Sequence, residues 1–245
     1  MILKQVTVGL LLAVAATYST LAQESQAGAR ATMVRLIEFQ ISAIASETGI
    51  RRLDKNVLLA LQTVPRHIFV PPQLAAYAYD DRPLPLGMGQ NISQPFIIAL
   101  MTQLLQVKSG QVVLETGTGA GYHAAILAEL GATVFSVEVI EPLAVYATLR
   151  LDELGYDKVS IRSGDGYLGW QENGPYDAIL LKEAVDRIPP PLWAQLKPGG
   201  RMVLPLGSPE EEQLLTLVKK TPNGEAHKTS IISVRFAPLQ GGARI

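Results

Sequence analysis

Three acidic side chains follow apolar segments of this sequence, and one of them lies beside a loop rich in glycine. Residues 115–121 read ETGTGAG, a glutamate followed by three glycines at alternate positions. Glu138 ends the next apolar segment, about 20 residues further on, where a carboxylate can bind ribose hydroxyl groups. Asp165 lies between two glycines and can accept a hydrogen bond from an adenine amino group. Each alone is typical of a surface charge or a turn, but together they predict a site for a nucleoside-containing cofactor.

Two classes of cofactor bind to a strand, a glycine loop and a helix in this order. The dinucleotide pattern Gly-x-Gly-x-x-Gly would require a glycine at position 122, where this chain has Tyr122. A carboxylate at Glu115 would repel a pyrophosphate, whereas it would attract a ligand that carries an ammonium and a sulfonium group. The loop therefore predicts S-adenosylmethionine as the cofactor rather than NAD.

A long irregular segment precedes the glycine loop. Residues 77–95 are rich in proline and glycine and contain the sequence LPLGMGQNISQP. An irregular segment of this length inside a compact domain usually serves a ligand. Pro95 is predicted to begin a helix. Ser93 is then either part of a ligand site or a turn serine that caps this helix.

Strands and helices alternate after residue 111 and must position these residues. The predicted strands cover residues 112–116, 133–137, 158–162, 176–181 and 201–205. Helices are predicted at residues 122–130, 142–154 and 190–196, and two closing strands at residues 213–220 and 228–236. This alternation predicts an α/β fold, with a doubly wound, mostly parallel, Rossmann-like sheet and an antiparallel C-terminal edge. The ligand should lie at the carboxyl ends of the first strands.

The composition excludes several classes of function. A chain of 245 residues with 48% hydrophobic residues can bury one large core. A net charge of −1 lacks the positive surface that nucleic acids require, so no nucleic-acid partner is expected. The absence of cysteine excludes disulfides, thiolate metal sites and cysteine nucleophiles. The three histidines are widely spaced, and no metal site is expected.

The N-terminal residues have the pattern of a targeting segment. A lysine near the start is followed by an uncharged, mostly apolar run at residues 6–16 and by small residues up to Ala22. This pattern predicts a signal peptide at residues 1–22, with cleavage after Ala22. The alternative is an uncleaved membrane anchor, since the apolar run can be extended to about 17 residues. No stable membrane span is expected if the signal is cleaved.

The residues after the signal are expected to lead into one domain. Residues 23–32 are small and polar and are predicted to form a mobile linker. An amphipathic helix is predicted at residues 33–45, where apolar residues recur every three or four positions. Residues 33–245 are predicted to be a single S-adenosylmethionine-dependent methyltransferase domain.

Several longer segments resemble a known family in content and order. They are VPRHIFVP, GQNISQP, VVLETGTGAGYHAAILAEL, SVEVIEPL, YDAILL and QLKPGGRMVLPLG. The chain resembles the protein-L-isoaspartate O-methyltransferases from roughly residue 33 to residue 238. The resemblance implies an enzyme that transfers a methyl group from S-adenosylmethionine to the carboxylate of isoaspartyl residues in damaged proteins. Isoaspartyl-containing proteins or peptides are then the expected partners.

The resemblance also implies roles for individual residues. Ser93 matches the active-site serine of the family, and Ile92 lies beside it near the cofactor. The positions that match the family's cofactor-binding residues are Glu115, Gly117, Thr118, Gly119, Glu138, Asp165 and Gly166. A carboxylate acceptor has a pKa near 4 and is ionised at pH 7, so its methylation requires no strong general base.

This sequence departs from the family at the end of the fourth predicted strand. The family usually has small residues there, beside the methyl group, whereas this chain has the substrate-site candidates Lys182 and Glu183. If Lys182 points into the site, it pairs with the acceptor carboxylate or disfavours the sulfonium; otherwise it is a strand-end charge. Met88 and Asn91 also replace the family's usual His and Thr. Two alternative functions follow: a methyltransferase with a different acceptor, and a non-catalytic exported binding module on the same fold.

The predicted location has two alternatives as well. A cleaved signal peptide predicts a periplasmic or secreted protein. S-adenosylmethionine is a cytoplasmic metabolite, and the alternative location is the cytoplasm, as for most of the resembling family.

Overall fold

A computed structural model describes residues 24–241 of the chain. The signal peptide and the cleavage position predicted at residues 1–22 lie outside this range. None of the helices between residues 24 and 241 combines the length and the apolar character that crossing a bilayer requires.

The first helix begins earlier than the sequence pattern predicted. Helix α1 covers residues 24–43, so the expected linker at residues 23–32 is helical from residue 24 onward. The glutamate, glutamine and alanine side chains of this segment are favourable in helices, which explains the difference. The buried apolar face of α1 lies further along and consists of Met33, Val34, Ile37 and Ile41.

Most strands belong to one sheet. Strands β1 (Leu84–Gly87) and β2 (Gln90–Ile92) form a separate antiparallel pair. Within residues 24–241 the main sheet has seven strands: β3 (Val112–Thr116), β4 (Thr133–Glu138), β5 (Val159–Ser163), β6 (Tyr176–Leu181), β7 (Leu196–Leu206), β8 (Gln213–Lys220) and β9 (Ala226–Val234). Their order is β5-β4-β3-β6-β7-β8-β9. The first five pair in parallel, and β8 and β9 are antiparallel, which confirms the predicted fold class.

The remaining helices lie before or between these strands. They are α2 (Ala45–Thr48), α3 (Lys55–Thr63), α4 (Pro95–Leu105), α5 (Tyr122–Glu129), α6 (Glu141–Glu153) and α7 (Pro190–Gln195). The chain runs from β3 outward to β5 and then crosses to β6, on the other side of β3. Such a reversal opens a crevice at the carboxyl ends of the central strands, where ligands bind in folds of this kind.

The central strands are covered on both faces. Successive side chains of a strand point to opposite faces, and Val113 and Leu114 accordingly belong to two different apolar clusters. Val113 packs in the larger cluster, which includes side chains of α1, α3, α4 and α5. Leu114 packs in the smaller one, together with Leu192 of α7. Burial of one such side chain contributes roughly 1.5–3 kcal/mol, so the two layers hold the strand ends in place.

Strands β4, β5 and β9 differ from their predicted bounds by one or two residues, and β7 differs most. Strand β7 begins at Leu196, which pairs with Tyr176, although the predicted strand began at residue 201. The next pair joins Ala178 to Arg201, so the KPGG sequence forms a bulge within the strand. Gly199 has a φ of 79°, a conformation that other residues rarely adopt.

Candidate active site

A cavity of about 310 Å³ lies in the crevice at the carboxyl ends of the parallel strands. The segment between β2 and α4 closes it on one side, and the residues after β9 close it on another. Most of the predicted site residues line this cavity: Ile92, Ser93, Gly117, Thr118, Gly119, Glu138, Gly166, Lys182 and Glu183. Glu115 and Asp165 are not among the residues that line it.

The glycine loop turns sharply between β3 and α5. Gly117 has a φ of 66° and donates its amide hydrogen to the carbonyl of Val137, at 2.9 Å. A Cβ atom at Gly117 would overlap Oε1 of Glu183 and would lie 2.9 Å from its Cδ. A side chain at this position is therefore excluded both by the backbone conformation and by the neighbouring carboxylate.

Glu115 is fully buried within a polar network beneath the loop. Its Oε1 lies 2.7 Å from Nζ of Lys182, and its Oε2 accepts a hydrogen bond from the Ser136 hydroxyl at 2.6 Å. The hydroxyls of Ser136 and Thr118 are also 2.6 Å apart. The hydrogen bond between Thr118 and Ser136 connects the loop to β4. Both oxygens of Glu115 contact groups inside the protein.

Glu138 presents its carboxylate at the edge of the cavity. One oxygen accepts a hydrogen bond from the Gly119 amide at 2.8 Å, and the other accepts one from the Ile140 amide at 3.0 Å. Glu138 is only 4% exposed. Two backbone donors fix the orientation of this carboxylate, and its remaining lone pairs can accept hydrogen bonds from ribose hydroxyls.

Asp165 follows β5 and caps a short turn. Its side chain accepts a hydrogen bond from the Tyr167 amide at 2.9 Å. A Cβ atom at Gly241 would lie 2.5 Å from Cγ of Asp165, so the C-terminal segment packs directly on this carboxylate. The neighbouring Gly166 reaches the cavity itself.

Glu183 places a second carboxylate in the cavity, beside the glycine loop. Its Oε2 accepts hydrogen bonds from the Thr116 hydroxyl at 2.6 Å and from the Lys182 amide at 3.0 Å. Burial raises the pKa of Glu183 to about 7, and the nearby Glu138 carboxylate acts in the same direction. This side chain is therefore only partly ionised at neutral pH.

The segment that carries Ser93 is held from below by a buried arginine. Arg66 donates hydrogen bonds to the carbonyls of Ser93, at 2.7 Å, and of Ala78, at 2.8 Å. Its guanidinium lies over the ring of Tyr122, 5.1 Å from the ring centre. Burial lowers the pKa of Arg66 to about 10, so the group stays charged at neutral pH. Arg66 belongs to the VPRHIFVP segment, but no pattern in the sequence predicted these contacts.

Ser93 does not cap helix α4. Gln94 occupies the N-cap position, but its side chain accepts no hydrogen bond from the helix. The amide of Phe96 instead donates a hydrogen bond to Oδ1 of Asp81 at 2.9 Å. Oδ2 of Asp81 also accepts a hydrogen bond from the Gln94 side chain at 2.8 Å. Since Asp81 performs the capping, the Ser93 side chain is available to the cavity.

A buried histidine also lines the cavity. His123 is 2% exposed, and its Nε2 lies 2.9 Å from the Thr102 hydroxyl. Burial holds the pKa of His123 well below its usual value, with a further contribution from the charge of Lys182. The imidazole is therefore neutral and adds no charge to the cavity.

The lining residues fit S-adenosylmethionine. The loop presents backbone rather than side chains, because Gly117 and Gly119 both have positive φ angles. Glu138 offers an oriented acceptor for ribose hydroxyls, and Glu183 offers a carboxylate to a positively charged group. Together these residues match the adenosyl and the charged parts of this cofactor.

Comparisons with known proteins agree with this geometry. Residues 41–244 match the family Protein-L-isoaspartate(D-aspartate) O-methyltransferase (PCMT). Protein-L-isoaspartate O-methyltransferase 2 of Syntrophobacter fumaroxidans is 51% identical over 221 residues, which cover 90% of either chain. Protein-L-isoaspartate O-methyltransferase 1 of Cupriavidus necator is 49% identical over 222 residues, 91% of this chain and 86% of the other.

Solved structures show the same fold. A protein-L-isoaspartate O-methyltransferase with 27% identity has a TM-score of 0.74 and covers 86% of this chain, which in turn covers 66% of that chain. A Plasmodium falciparum structure, described as this type of methyltransferase in complex with S-adenosyl-L-homocysteine, has a TM-score of 0.67 and 23% identity, and the match covers 76% of this chain and 91% of the other. The family match and the high identity over most of the sequence lead to one conclusion: the chain belongs to the protein-L-isoaspartate(D-aspartate) O-methyltransferase family.

Proposed function

We propose that this protein transfers a methyl group from S-adenosylmethionine to the carboxylate of isoaspartyl residues in damaged proteins, and that the cavity described above is the active site. One observation carries the assignment of the site. The same cavity is lined by Ser93 of the ISQP sequence, by the glycine loop and by Glu138. The residues that match the acceptor and the cofactor regions of the family therefore face one space.

The cofactor supplies an electrophilic methyl group when it is bound. Glu138 and the loop backbone hold and orient the adenosyl part. The Ser93 hydroxyl donates a hydrogen bond that orients the acceptor carboxylate, and Arg66 keeps the backbone of Ser93 in place. Because the acceptor is already ionised at pH 7, the residues of the site act by positioning and by excluding water.

Labelled methyl transfer tests the proposed function. The protein is incubated with S-adenosylmethionine carrying a labelled methyl group and with a peptide that contains one isoaspartyl residue. A base-labile methyl ester should form on this peptide. The matched control is the same peptide with a normal aspartyl residue. Label that does not exceed this control would contradict the proposal, and cofactor binding without such label would indicate another acceptor.

We also propose that the protein is exported to the periplasm or secreted. The charge near the N-terminus, the apolar run at residues 6–16 and the small residues before position 23 support this location. Mass spectrometry of the protein from the periplasmic fraction of a bacterial host should find Gln23 as the first residue. An intact N-terminus in the cytoplasmic fraction would contradict the proposal and support the cytoplasmic alternative.

A further inference from the structure

The carboxylate of Glu115, near the end of β3, is paired inside the protein. Lys182 lies 2.7 Å from Glu115, and the two side chains are 12% and 0% exposed. At this distance the ammonium of Lys182 offsets the negative charge of Glu115 inside the protein. The ammonium of Lys182 also lies 3.4 Å from the Thr118 carbonyl, which keeps it beneath the loop. Glu115 therefore cannot attract a cationic ligand in the way that its position in the sequence suggested.

Glu183 places another carboxylate in the cavity, beside the glycine loop. One oxygen is held by the Thr116 hydroxyl and the Lys182 amide. The other oxygen, Oε1, lies directly against Gly117 and receives no hydrogen bond from residues 24–241. The cavity thus contains a carboxylate oxygen that is oriented, close to the glycine loop and unused.

The order of the strands shows which end of the cofactor meets this oxygen. Asp165 follows β5, Glu138 ends β4, the glycine loop follows β3, and Glu183 follows β6. These strands are neighbours in the order β5-β4-β3-β6, and neighbouring strands lie about 4.8 Å apart. If the adenine and ribose groups lie at β5 and β4, the methionine part must extend across β3 towards β6.

We propose that Glu183, and not Glu115, is the carboxylate that binds the positively charged methionine end of the cofactor. This inference rests on the function proposed above. Lys182 has a positioning role: it neutralises Glu115, and its amide orients the carboxylate of Glu183. This chain departs from the usual family pattern at Lys182 and Glu183. Together these two residues place the negative charge at the end of β6 instead of the end of β3.

The ionisation of Glu183 makes the proposal testable in the unmodified protein. The charged or titratable groups that line the cavity with Glu183 are Lys182, Glu138, Tyr122, His123 and Arg235. Lys182 and Glu138 act directly on its pKa, and Lys182 is itself paired with Glu115. Since the pKa of Glu183 is raised to about 7, a cation that requires its ionised form should displace a proton on binding.

Isothermal titration calorimetry with S-adenosylmethionine measures both the affinity at each pH and the release of protons on binding. For the wild-type protein the affinity should rise about five-fold from pH 6 to pH 7, the change in the ionised fraction of a group that titrates near 7. Titrations at pH 7 in buffers of different ionisation enthalpy should show proton release. Glu183→Gln should weaken binding at pH 7.5 by about ten-fold and remove both the pH dependence and the proton release.

A matched control makes the same change outside the cavity. Glu153→Gln removes the charge of an exposed glutamate of α6 that does not line the cavity. This variant should bind with an affinity within two-fold of the wild type and should keep the proton release.

The outcomes separate this inference from the function on which it rests. Wild-type affinity and proton release in Glu183→Gln would overturn the role of Glu183 alone. Absence of any binding to the wild-type protein would overturn both proposals. If Glu183→Gln does not fold, the pH series on the wild-type protein decides, because an affinity that is constant between pH 6 and pH 7 contradicts the inference.

Discussion

The two halves of the cavity hold their carboxylates in different ways. On the β4 side, Glu138 is bound by two backbone amides, which stay in place at any pH. On the β6 side, Glu183 is bound by a hydroxyl and a single amide, and burial raises its pKa to about 7. The β4 side is therefore a fixed part of the fold, whereas the charge of the β6 side depends on pH and on what it binds.

The raised pKa of Glu183 affects the stability of the folded protein. A buried carboxylate with a raised pKa is a cost to the folded protein, because its charged form is better solvated in the unfolded chain. Such a cost is typical of residues that serve a ligand rather than the fold. We therefore expect changes on the β4 side to keep the proton release that accompanies cofactor binding, and changes on the β6 side to remove it.

The largest effect is expected at Arg66, which supports the segment that carries Ser93. Arg66→Met removes the donors to the carbonyls of Ser93 and Ala78 and leaves them buried without partners. We expect the free energy of unfolding to fall by about 3 kcal/mol, since each unpaired group costs about 1–3 kcal/mol. Urea denaturation measures this loss. Arg66→Lys is the control: it keeps the charge but cannot reach both carbonyls, and its loss should be smaller. A change below about 0.5 kcal/mol in Arg66→Met would contradict the expectation.

The next effect concerns the pH dependence of stability. Below pH 4.5, the ordinary pKa of a glutamate, Glu183 is protonated in both the folded and the unfolded chain. As the pH rises, the unfolded chain loses this proton first, while the folded protein keeps it until about pH 7. The contribution of Glu183 to the free energy of unfolding therefore falls across this window and is constant above it.

Glu183→Gln should remove this fall. At pH 8 the variant should be more stable than the wild-type protein by about 2–3 kcal/mol, and near pH 4.5 the two should be nearly equal. Thermal or urea denaturation across this pH range measures the difference. A variant that is less stable than the wild type at pH 8 would show that the carboxylate stabilises the fold.

A smaller change is expected on the β4 side. Glu138→Gln should weaken the binding of S-adenosylmethionine by about ten-fold, because an amide offers a weaker acceptor to ribose hydroxyls than a carboxylate does. The variant should keep the proton release on binding that Glu183→Gln loses, because Glu183 is still present. Calorimetry in buffers of different ionisation enthalpy tests this point. Loss of the proton release in Glu138→Gln would remove the distinction between the two sides.

The smallest change is expected at Ser93. Ser93→Ala removes one hydrogen bond to the acceptor, and kcat should fall by about five-fold, since one such bond contributes about 1 kcal/mol. The affinity for S-adenosylhomocysteine should stay within two-fold of the wild type, since Ser93 acts on the acceptor. Steady-state kinetics with an isoaspartyl peptide and calorimetry with S-adenosylhomocysteine measure the two quantities. Weaker binding of S-adenosylhomocysteine with an unchanged kcat would assign Ser93 to the cofactor instead.

Local patterns predicted most of the elements that carry the site. The bounds of β3 and β6, at residues 112–116 and 176–181, were predicted without error, because short apolar runs bounded by turns indicate buried parallel strands. Helix α5 begins at Tyr122 as predicted, since glycines precede an apolar run at helical spacing. The expected linker before residue 33 is helical instead, because composition alone does not show where an amphipathic helix begins.

The residues of one motif could be found in the sequence, but their partners could not. The ISQP sequence identified Ser93, whereas Arg66, 27 residues earlier, reaches it only through the tertiary structure. In the same way, no local pattern could show that Lys182 would pair with Glu115. Glu115 lies on β3 and Lys182 follows β6, and these strands are neighbours in the sheet but far apart along the chain.

The sequence by itself determined the fold class, the glycine loop and the family, because these depend on short-range spacing and on the similarity of residues over the whole chain. The tertiary structure decided which carboxylate faces the cavity. Lys182 and Glu183 are adjacent in the chain, yet the end of β6 directs one beneath the loop to neutralise Glu115 and the other onto Gly117. The physical reason is that the charge of a side chain acts through distance and burial, which only the packing of β3 against β6 establishes.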